Sequence, residues 1–195
     1  DTDADGTGDW RDLDSDADGI LDKIEGTVDT DADGTGDWRD FDSDGDGILD
    51  KIEGTIDTDG DGIGNWRDLD SDDDEILDSI ELTGDNDNDG IPNYIDPEFF
   101  IPEAISPNGD GDNDVLYIRG LKTKSYKDAE ILIFNRWGQE VFKSGKGYKN
   151  NWGGTSGIGG KYTVYAGNEL LPEGIYYLIF IYNGKTLSQN LYIKP

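Results

Sequence analysis

The stretch DSDADGILDKIE, residues 14–25, decides how the first half of the chain folds. Acidic residues occupy loop positions 1, 3, 5, 9 and 12, and glycine occupies position 6. This is the ligand spacing of a calcium loop of the EF-hand type, in which alternate side chains turn inward towards a hard cation. Glycine permits the sharp turn because it has no Cβ to oppose a positive φ.

The loop recurs in tandem. Residues 1–28 are followed by close copies at 29–56 and 57–84 and by a partial copy at 85–98, and each full copy holds two loops. The seven loops begin at Asp1, Asp14, Asp29, Asp42, Asp57, Asp70 and Asp85. We therefore expect a repeat unit in which each copy is stabilised by its neighbours and by metal.

The predicted metal ligands are side chains at positions 1, 3, 5, 9 and 12 and the backbone carbonyl at position 7. In the first four loops they are Asp1, Asp3, Asp5, Thr7, Asp9, Asp12, Asp14, Asp16, Asp18, Ile20, Asp22, Glu25, Asp29, Asp31, Asp33, Thr35, Asp37, Asp40, Asp42, Asp44, Asp46, Ile48, Asp50 and Glu53. In the last three they are Asp57, Asp59, Asp61, Ile63, Asp68, Asp70, Asp72, Asp74, Asp78, Glu81, Asp85, Asp87, Asp89, Ile91 and Asp96. We expect about six to seven Ca²⁺ ions in residues 1–98.

Two departures from the pattern stand out. Glu75 replaces the position 6 glycine of the sixth loop, where a left-handed conformation would cost it about 1 kcal/mol. Asn65 and Asn93 replace aspartate at position 9 of the fifth and seventh loops. The sixth loop is the one we expect to be rearranged.

Charge is divided unevenly along the chain. Residues 1–98 hold 36 acidic and 5 basic residues, and residues 99–195 hold 9 and 11. The acidic half has too few apolar residues to offset chain entropy, so without cations we expect it to be expanded. A disordered acidic linker and a mineral-binding tract are the alternatives. The balance argues against nucleic acid as a partner.

A few large apolar side chains recur with the loops, and we expect them to pack between neighbouring repeats. They are Trp10, Trp38, Trp66 and Tyr94, with Leu13, Phe41 and Leu69 and with Ile24, Ile52 and Ile80.

The tandem DxDxDGxxDxxD pattern, with start-to-start spacings that alternate between 13 and 15 residues, resembles thrombospondin type 3 repeats over residues 1–98. The resemblance implies a calcium-stabilised irregular rod with little regular secondary structure. Vertebrate members carry Cys where this chain has Trp10, Trp38 and Trp66, so a stacked aromatic is the expected substitute for their disulfides.

From residue 99 the signals are those of short strands separated by turns. The predicted strands are 99–105, 115–118, 129–134, 139–143, 162–165, 174–182 and 187–193. About seven such strands indicate an all-β immunoglobulin-like sandwich. Asn183-Gly184 predicts a hairpin, and Pro172 to Tyr176 indicates either a tyrosine corner or a plain turn into a strand.

Four motifs in this half carry a second resemblance. They are IPEAISPNGDGDND at 101–114, IFNRWG at 133–138, NWGGT at 151–155 and LPEGIYY at 171–177. In this order they closely resemble the gliding motility-associated C-terminal domain, the type B sorting domain of Bacteroidota type IX secretion cargo. The resemblance implies export through the type IX translocon, docking to an outer-membrane β-barrel of the PorP/SprF class, and a place on the extracellular surface. Such cargo includes large gliding-motility adhesins.

Individual residues of this half allow alternatives. Asn108, Asp110, Asp112 and Asp114 would bind one more Ca²⁺ or form an Asx-rich turn. Arg136 and Trp137 would face a partner, or Trp137 would be core. Leu191, Tyr192 and Ile193 would pair with the edge of a partner strand.

We predict a non-enzymatic surface protein, in which residues 1–98 form a stalk and residues 99–195 a secretion and anchoring domain. The chain contains no His and no Cys, so the usual acid–base and nucleophile groups are missing. The alternatives are a module whose sandwich binds a glycan or matrix ligand, and the accessory end of a secreted enzyme. The chain begins in phase with its repeat, so we expect it to be the end of a longer protein.

Overall fold

A computed structural model describes residues 1–156 and 169–195. The predicted strand at 162–165 lies outside the described residues. The chain divides into two compact units, Asp1–Pro97 and Glu98–Pro195. Across the described ranges, no helix combines the length and the apolar character that crossing a membrane requires.

Regular structure in the first unit is confined to single turns at the ends of the loops. We call the loops that begin at Asp14, Asp42 and Asp70 the even loops, and the other four the odd loops. Each even loop ends in a four-residue α-helix: α1 Asp22–Glu25, α2 Asp50–Glu53 and α3 Asp78–Glu81. Three odd loops end in 3₁₀ turns at Asp37–Arg39, Asn65–Arg67 and Asn93–Ile95.

The loop backbone follows the sequence pattern. The six glycines at position 6 have φ between +94° and +106°, and Glu75 adopts φ +76° in the sixth loop. Glu75 therefore takes the left-handed conformation that glycine takes in the other loops, and the rearrangement expected of the sixth loop is wrong at this position. The residue at loop position 4 also has a positive φ, and in three loops that residue is alanine. Sequence reasoning missed that second strained position.

The interior of the first unit is polar. The largest buried apolar side chains are Trp66 and Tyr94, together with Ile20 and Ile48 at position 7. Trp10 is 79 % exposed, and the repeating isoleucines and leucines, Ile24 among them, are about half exposed or more. The expectation that the recurring apolar residues pack between repeats is thus correct for Trp66 and Tyr94 and wrong for most others. Carboxylates and serines fill that interior instead.

The Arg67 side chain contacts residues of three successive repeats. Its guanidinium lies 3.9 Å from the centre of the Trp66 ring. Its Nε is 2.9 Å from Oδ2 of buried Asp37, and its Nη2 donates to the backbone carbonyl of Glu25. One basic side chain of the third repeat therefore links this repeat to both the first and the second.

The second unit is built on one five-stranded sheet with the order β1-β5-β4-β2-β3. The strands are β1 Ala104–Ile105, β2 Glu130–Phe134, β3 Glu140–Lys143, β4 Gly174–Tyr182 and β5 Lys185–Ile193. The β1–β5 pair is parallel, and the other pairs are antiparallel.

Two tight turns create the hairpins. Asn183 and Gly184 have φ +46° and +74° and join Tyr182 directly to Lys185, which confirms the predicted hairpin. Between β2 and β3, the side-chain oxygen of Asn135 accepts hydrogen bonds of 3.0 Å from the backbone N–H groups of Trp137 and Gln139. That asparagine is the residue that closes the second turn.

One face of the sheet carries the core. Alternate residues of the central strands have no exposed area: Ile131, Ile133, Leu178, Phe180, Leu191 and Ile193. Connecting segments cover this face with Leu116, Ile118, Tyr148, Trp152 and Leu171. Residues 115–118, predicted as a strand, are buried in part but form no strand, and the chain pairs nearby only through a Phe100–Arg119 bridge. The described residues thus form one sheet, whereas the predicted sandwich would contain two.

The Tyr176 hydroxyl donates a 2.8 Å hydrogen bond to the carbonyl of Pro172, four residues earlier. This is the bond of a tyrosine corner, so that reading is confirmed over the plain turn. The bond fixes the chain where it enters β4.

We expect Glu75→Gly to raise the free energy of unfolding of the repeats by about 1 kcal/mol, because glycine removes the strain of a positive φ. Glu75→Gln is the matched control, since it removes the charge and keeps the Cβ. Denaturant unfolding at fixed Ca²⁺ measures both. Equal gains in the two variants would show that charge, and not strain, is the cause.

Tyr176→Phe should destabilise the second unit by about 1 kcal/mol, because the Pro172 carbonyl loses its donor. Tyr177→Phe is the control, since that ring is 55 % exposed on the opposite side of the strand. Chemical denaturation of the two variants tests the difference, and similar midpoints would contradict a stabilising role for the corner.

Candidate metal centres

Carboxylates at positions 1, 3 and 5 converge in the loops, and backbone N–H groups hold them there. In the loop that begins at Asp42, Gly47 donates to Asp42 and Asp46 donates to Asp44, each over 3.1 Å, and Ile48 donates to Asp46 over 2.6 Å. Corresponding bonds recur in all seven loops. In this loop both oxygens of Asp42 accept such bonds, whereas Asp44 and Asp46 are each held through Oδ1 and keep a buried Oδ2 without a hydrogen bond.

These remaining oxygens meet closely. In the loops at Asp1, Asp14, Asp29 and Asp42, the three carboxylates offer ligand atoms within 4.8 Å of one another. Two unit charges at that distance repel by roughly 3 to 4 kcal/mol at an effective dielectric constant of about 20. Such a group is costly unless a cation neutralises it.

Two of the three even loops close with a buried glutamate, and in the third Glu81 is partly exposed. Glu25 is 1 % exposed and Glu53 3 % exposed, and neither carboxylate oxygen of either residue has a hydrogen-bond partner. Buried oxygens of the neighbouring aspartates are also without a hydrogen bond: Oδ2 of Asp16, Asp18, Asp44, Asp46 and Asp72. Buried polar atoms are nearly always satisfied in proteins, so these oxygens are suited to contacts with a positively charged ligand.

The raised pKa values of the two buried glutamates show the same shortage of positive charge around them. Burial, together with the nearby charges of Asp44 and Asp46, raises the pKa of Glu53 to about 10. Burial raises the pKa of Glu25 to about 9, with Asp16 and Asp18 the next causes. Because these folded-state values lie above the unfolded ones, the compact carboxylate clusters alone lose stability as pH rises from about 4 through the raised values. At neutral pH a bound cation would remove that penalty.

The donor set fits calcium. Ca²⁺ takes six to eight hard oxygens from carboxylates and carbonyls, and the even loops supply both within a nearly solvent-free shell. The odd loops are more open: Asp29, Asp31 and Asp33 are all exposed. Enclosed and open sites therefore alternate along the chain, and the enclosed loops are those that end in glutamate instead of aspartate at position 12.

Position 9 has a structural partner that sequence reasoning missed. In every loop its side chain accepts a hydrogen bond from the N–H of position 2; Asp50 accepts one of 2.8 Å from Ser43 and another of 2.6 Å from the Ser43 hydroxyl. The position 2 residues are Thr2, Ser15, Thr30, Ser43, Thr58, Ser71 and Asn86. Hydroxyl residues at six of seven such positions were the available signal.

The same bond explains the two asparagines. Asn65 accepts from the Thr58 N–H over 3.1 Å and donates to the Thr58 hydroxyl over 2.9 Å. Asn93 accepts from the Asn86 N–H over 2.9 Å. An amide thus serves position 9 without a charge, so these residues preserve the loop and are not defects.

The segment from Asn108 to Asp114 closes on itself. The Asn108 side chain accepts from the Asp110 N–H over 2.9 Å, and Asp114 accepts from Gly109 over 2.7 Å and from Gly111 over 2.8 Å. These are the bonds of the predicted Asx-rich turn. Calcium binding by Asn108, Asp110, Asp112 and Asp114 stays a prediction.

The residues predicted to contact a partner separate into two groups. Trp137 is 66 % exposed with the Arg136 guanidinium 4.2 Å from its ring centre, so it is not a core residue. Leu191 and Ile193 are fully buried, and at this point β5 is paired with β4 on one side and with β1 on the other. The predicted edge pairing is therefore wrong at Tyr192 and Ile193, because β1 and β4 occupy both sides of β5 at these two residues. Tyr192 is partly exposed, and its hydroxyl donates to Glu173.

Comparison with known proteins identifies the second unit. Residues 99–194 match the family of the CHU_C type IX secretion signal domain. No curated protein and no solved structure matches the chain at a significant level. The matched span contains the Asx-rich turn, the Asn135 turn, buried Trp152 and the tyrosine corner. Residues 99–194 thus carry a match to the CHU_C type IX secretion signal domain, which implies a secreted or cell-surface protein sorted by the type IX secretion system.

Proposed function

We propose that this protein is a calcium-stiffened, non-catalytic surface stalk that the type IX signal domain delivers and holds at the outer membrane. The observation that carries the calcium part is the pair of buried glutamates, Glu25 and Glu53, whose carboxylate oxygens have no hydrogen-bond partner. A unit with so few buried apolar side chains needs another source of cohesion, and multivalent cations are the source that its side chains can use.

The residues that would hold calcium in an even loop are the carboxylates at positions 1, 3, 5 and 12 with the carbonyl at position 7. Calcium, when bound, supplies the positive charge that lets these groups stay ionised together. The chain supplies the geometry, because anchored oxygens keep the carboxylates oriented. The position 9 to position 2 hydrogen bond, as from Ser43 to Asp50, holds the closing helix against the start of the loop.

Coupling of folding to calcium suits a secreted stalk. A segment with 36 acidic residues among 98 repels itself at low calcium and remains expanded. It would become rigid where calcium is plentiful, outside the cell. The resemblance of residues 1–98 to thrombospondin type 3 repeats supports the same reading.

We place the partner of the signal domain at an outer-membrane β-barrel of the PorP/SprF class, and the whole protein among gliding-motility adhesins. The resemblance of the four motifs in residues 101–177 supports this assignment. Trp137 with Arg136 is the exposed feature of those motifs that is suited to a protein contact.

A second function is favoured by one observation. The sheet face opposite the core exposes Ile175 and Tyr177 by more than half. Exposed aromatic and apolar side chains on a flat sheet are suited to stacking against a glycan or a matrix protein. In that case the signal domain would itself be an extracellular binding module.

We expect calcium to protect the even loops from amide hydrogen exchange in the full chain. Peptides covering 14–25, 42–53 and 70–81 should exchange rapidly in chelator and slowly in millimolar Ca²⁺, while β4 and β5 should be unaffected. Identical exchange in both conditions would remove the calcium proposal.

A matched pair of variants sharpens this test. Glu53→Gln keeps the shape of a predicted ligand and removes its charge, so protection of 42–53 should require about tenfold or more Ca²⁺. Glu103→Gln makes the same change at an exposed position outside the repeats and should have no effect.

Deletion of residues 99–195 should abolish surface display in a host that has a type IX system, because the sorting signal is lost. Deletion of residues 1–98 should leave export intact. Immunolabelling of whole cells with a tag retained in both variants measures the result. Continued display without residues 99–195 would contradict the sorting role.

A further inference from the structure

One cluster of carboxylates spans two repeats. Asp18 and Glu25 belong to the second loop, in the first repeat, and Asp50 belongs to the fourth loop, in the second repeat. The three side chains offer ligand atoms that all lie within 4.8 Å of one another. The loop pattern alone assigns Asp50 to its own loop and predicts no such meeting.

The cluster is buried and lacks a positive partner. Glu25 is 1 % and Asp50 0 % exposed. Both Glu25 oxygens and Oδ2 of Asp18 have no hydrogen-bond partner. Within the described part of the chain, no Lys or Arg forms an ion pair with any of the three carboxylates. A buried, unpartnered glutamate facing two more carboxylates is the arrangement that a divalent cation resolves.

Asp50 can accept hydrogen bonds from its own loop and still contact the preceding repeat. Its two oxygens accept hydrogen bonds from the N–H and the hydroxyl of Ser43, which fixes their direction. A carboxylate has about four lone-pair sites, so acceptor capacity remains for an ion. Its orientation is therefore set by its own loop, while its free capacity faces the preceding repeat.

We propose that Asp50, together with Asp18 and Glu25, forms a cation site shared between consecutive repeats, with Ca²⁺ as the ion. The proposal rests on the calcium function proposed above and adds to it a ligand donated across a repeat boundary. The shared ion would join the two repeats more directly than stacking alone.

The same three acids recur one repeat later in the sequence. Asp46, Glu53 and Asp78 stand 28 residues after Asp18, Glu25 and Asp50. Glu53 and Asp78 are buried, and both Glu53 oxygens lack a hydrogen-bond partner.

A shared ion makes the repeats depend on one another. In a linear array, stability is the sum of repeat terms and nearest-neighbour terms. A cation held by two neighbouring repeats contributes a nearest-neighbour term. The enclosed site of one repeat is therefore complete only when the next repeat has folded against it. Calcium binding along the array then becomes cooperative.

The test uses the full chain and amide hydrogen exchange as a function of Ca²⁺. Asp50→Asn keeps the acceptor for Ser43, as Asn65 and Asn93 show for their own loops, and removes the shared charge. We expect the Ca²⁺ concentration needed to protect residues 14–25 to rise about tenfold or more. Asp78→Asn should produce the same shift in residues 42–53.

Asp22→Asn is the matched control, because Asp22 has the same loop position and the same kind of serine partner but is not one of the acids Asp46, Glu53 and Asp78. It should leave 42–53 unchanged. Wild-type protection of 14–25 in Asp50→Asn would overturn the shared site, as would an equal loss over all even loops. If calcium protects no loop of the wild-type chain, the calcium function itself fails, and the two failures are thereby distinguished.

Discussion

The repulsion among buried carboxylates is the constraint on which the first unit depends. Its interior is made of groups that oppose one another: Asp44, Asp46 and Glu53 lie close together with unpartnered buried oxygens. Apolar burial cannot offset this repulsion, because Trp66, Tyr94 and two isoleucines supply most of the buried apolar side chains. Under the calcium proposal a bound cation offsets this repulsion at neutral pH, so the stability of the unit depends on the chain and its ionic medium together.

Much of this site could be predicted from the residue spacing, because the spacing specifies local geometry. Acids at positions 1, 3 and 5 with a turn at position 6 define where three carboxylates point, and the structure places them together as expected. What could not be predicted depends on packing between repeats. The contact of Asp50 with Glu25 and the bridge from Arg67 to Asp37 arise from side chains far apart in sequence, and no periodicity reveals which of them meet.

In the second unit, too, the elements marked by local sequence could be predicted, and the contacts between distant segments could not. Strands β2, β4 and β5 were predictable because apolar residues and a strong turn signal at Asn183-Gly184 mark them locally. The error at Ile193 has a physical origin: β5 alternates, so this residue faces the core, and strand β1 covers an edge that a terminal strand was expected to leave free. The partner of a strand is a non-local property, which a sequence without relatives to compare does not specify.

The two units therefore respond to different conditions. The signal domain holds itself together with an apolar core around Phe180 and with the Tyr176 corner, neither of which depends on ions. Under the calcium proposal, the repeats depend on an ion in almost every loop. A protein that must be recognised during export and become stiff afterwards would benefit from this division, because the sorting signal would keep its shape as the calcium level changes. The repeats, in contrast, would change from an expanded to a compact state as that level rises. The uneven distribution of charge along the chain is, in this reading, the physical basis for separating delivery from mechanical function.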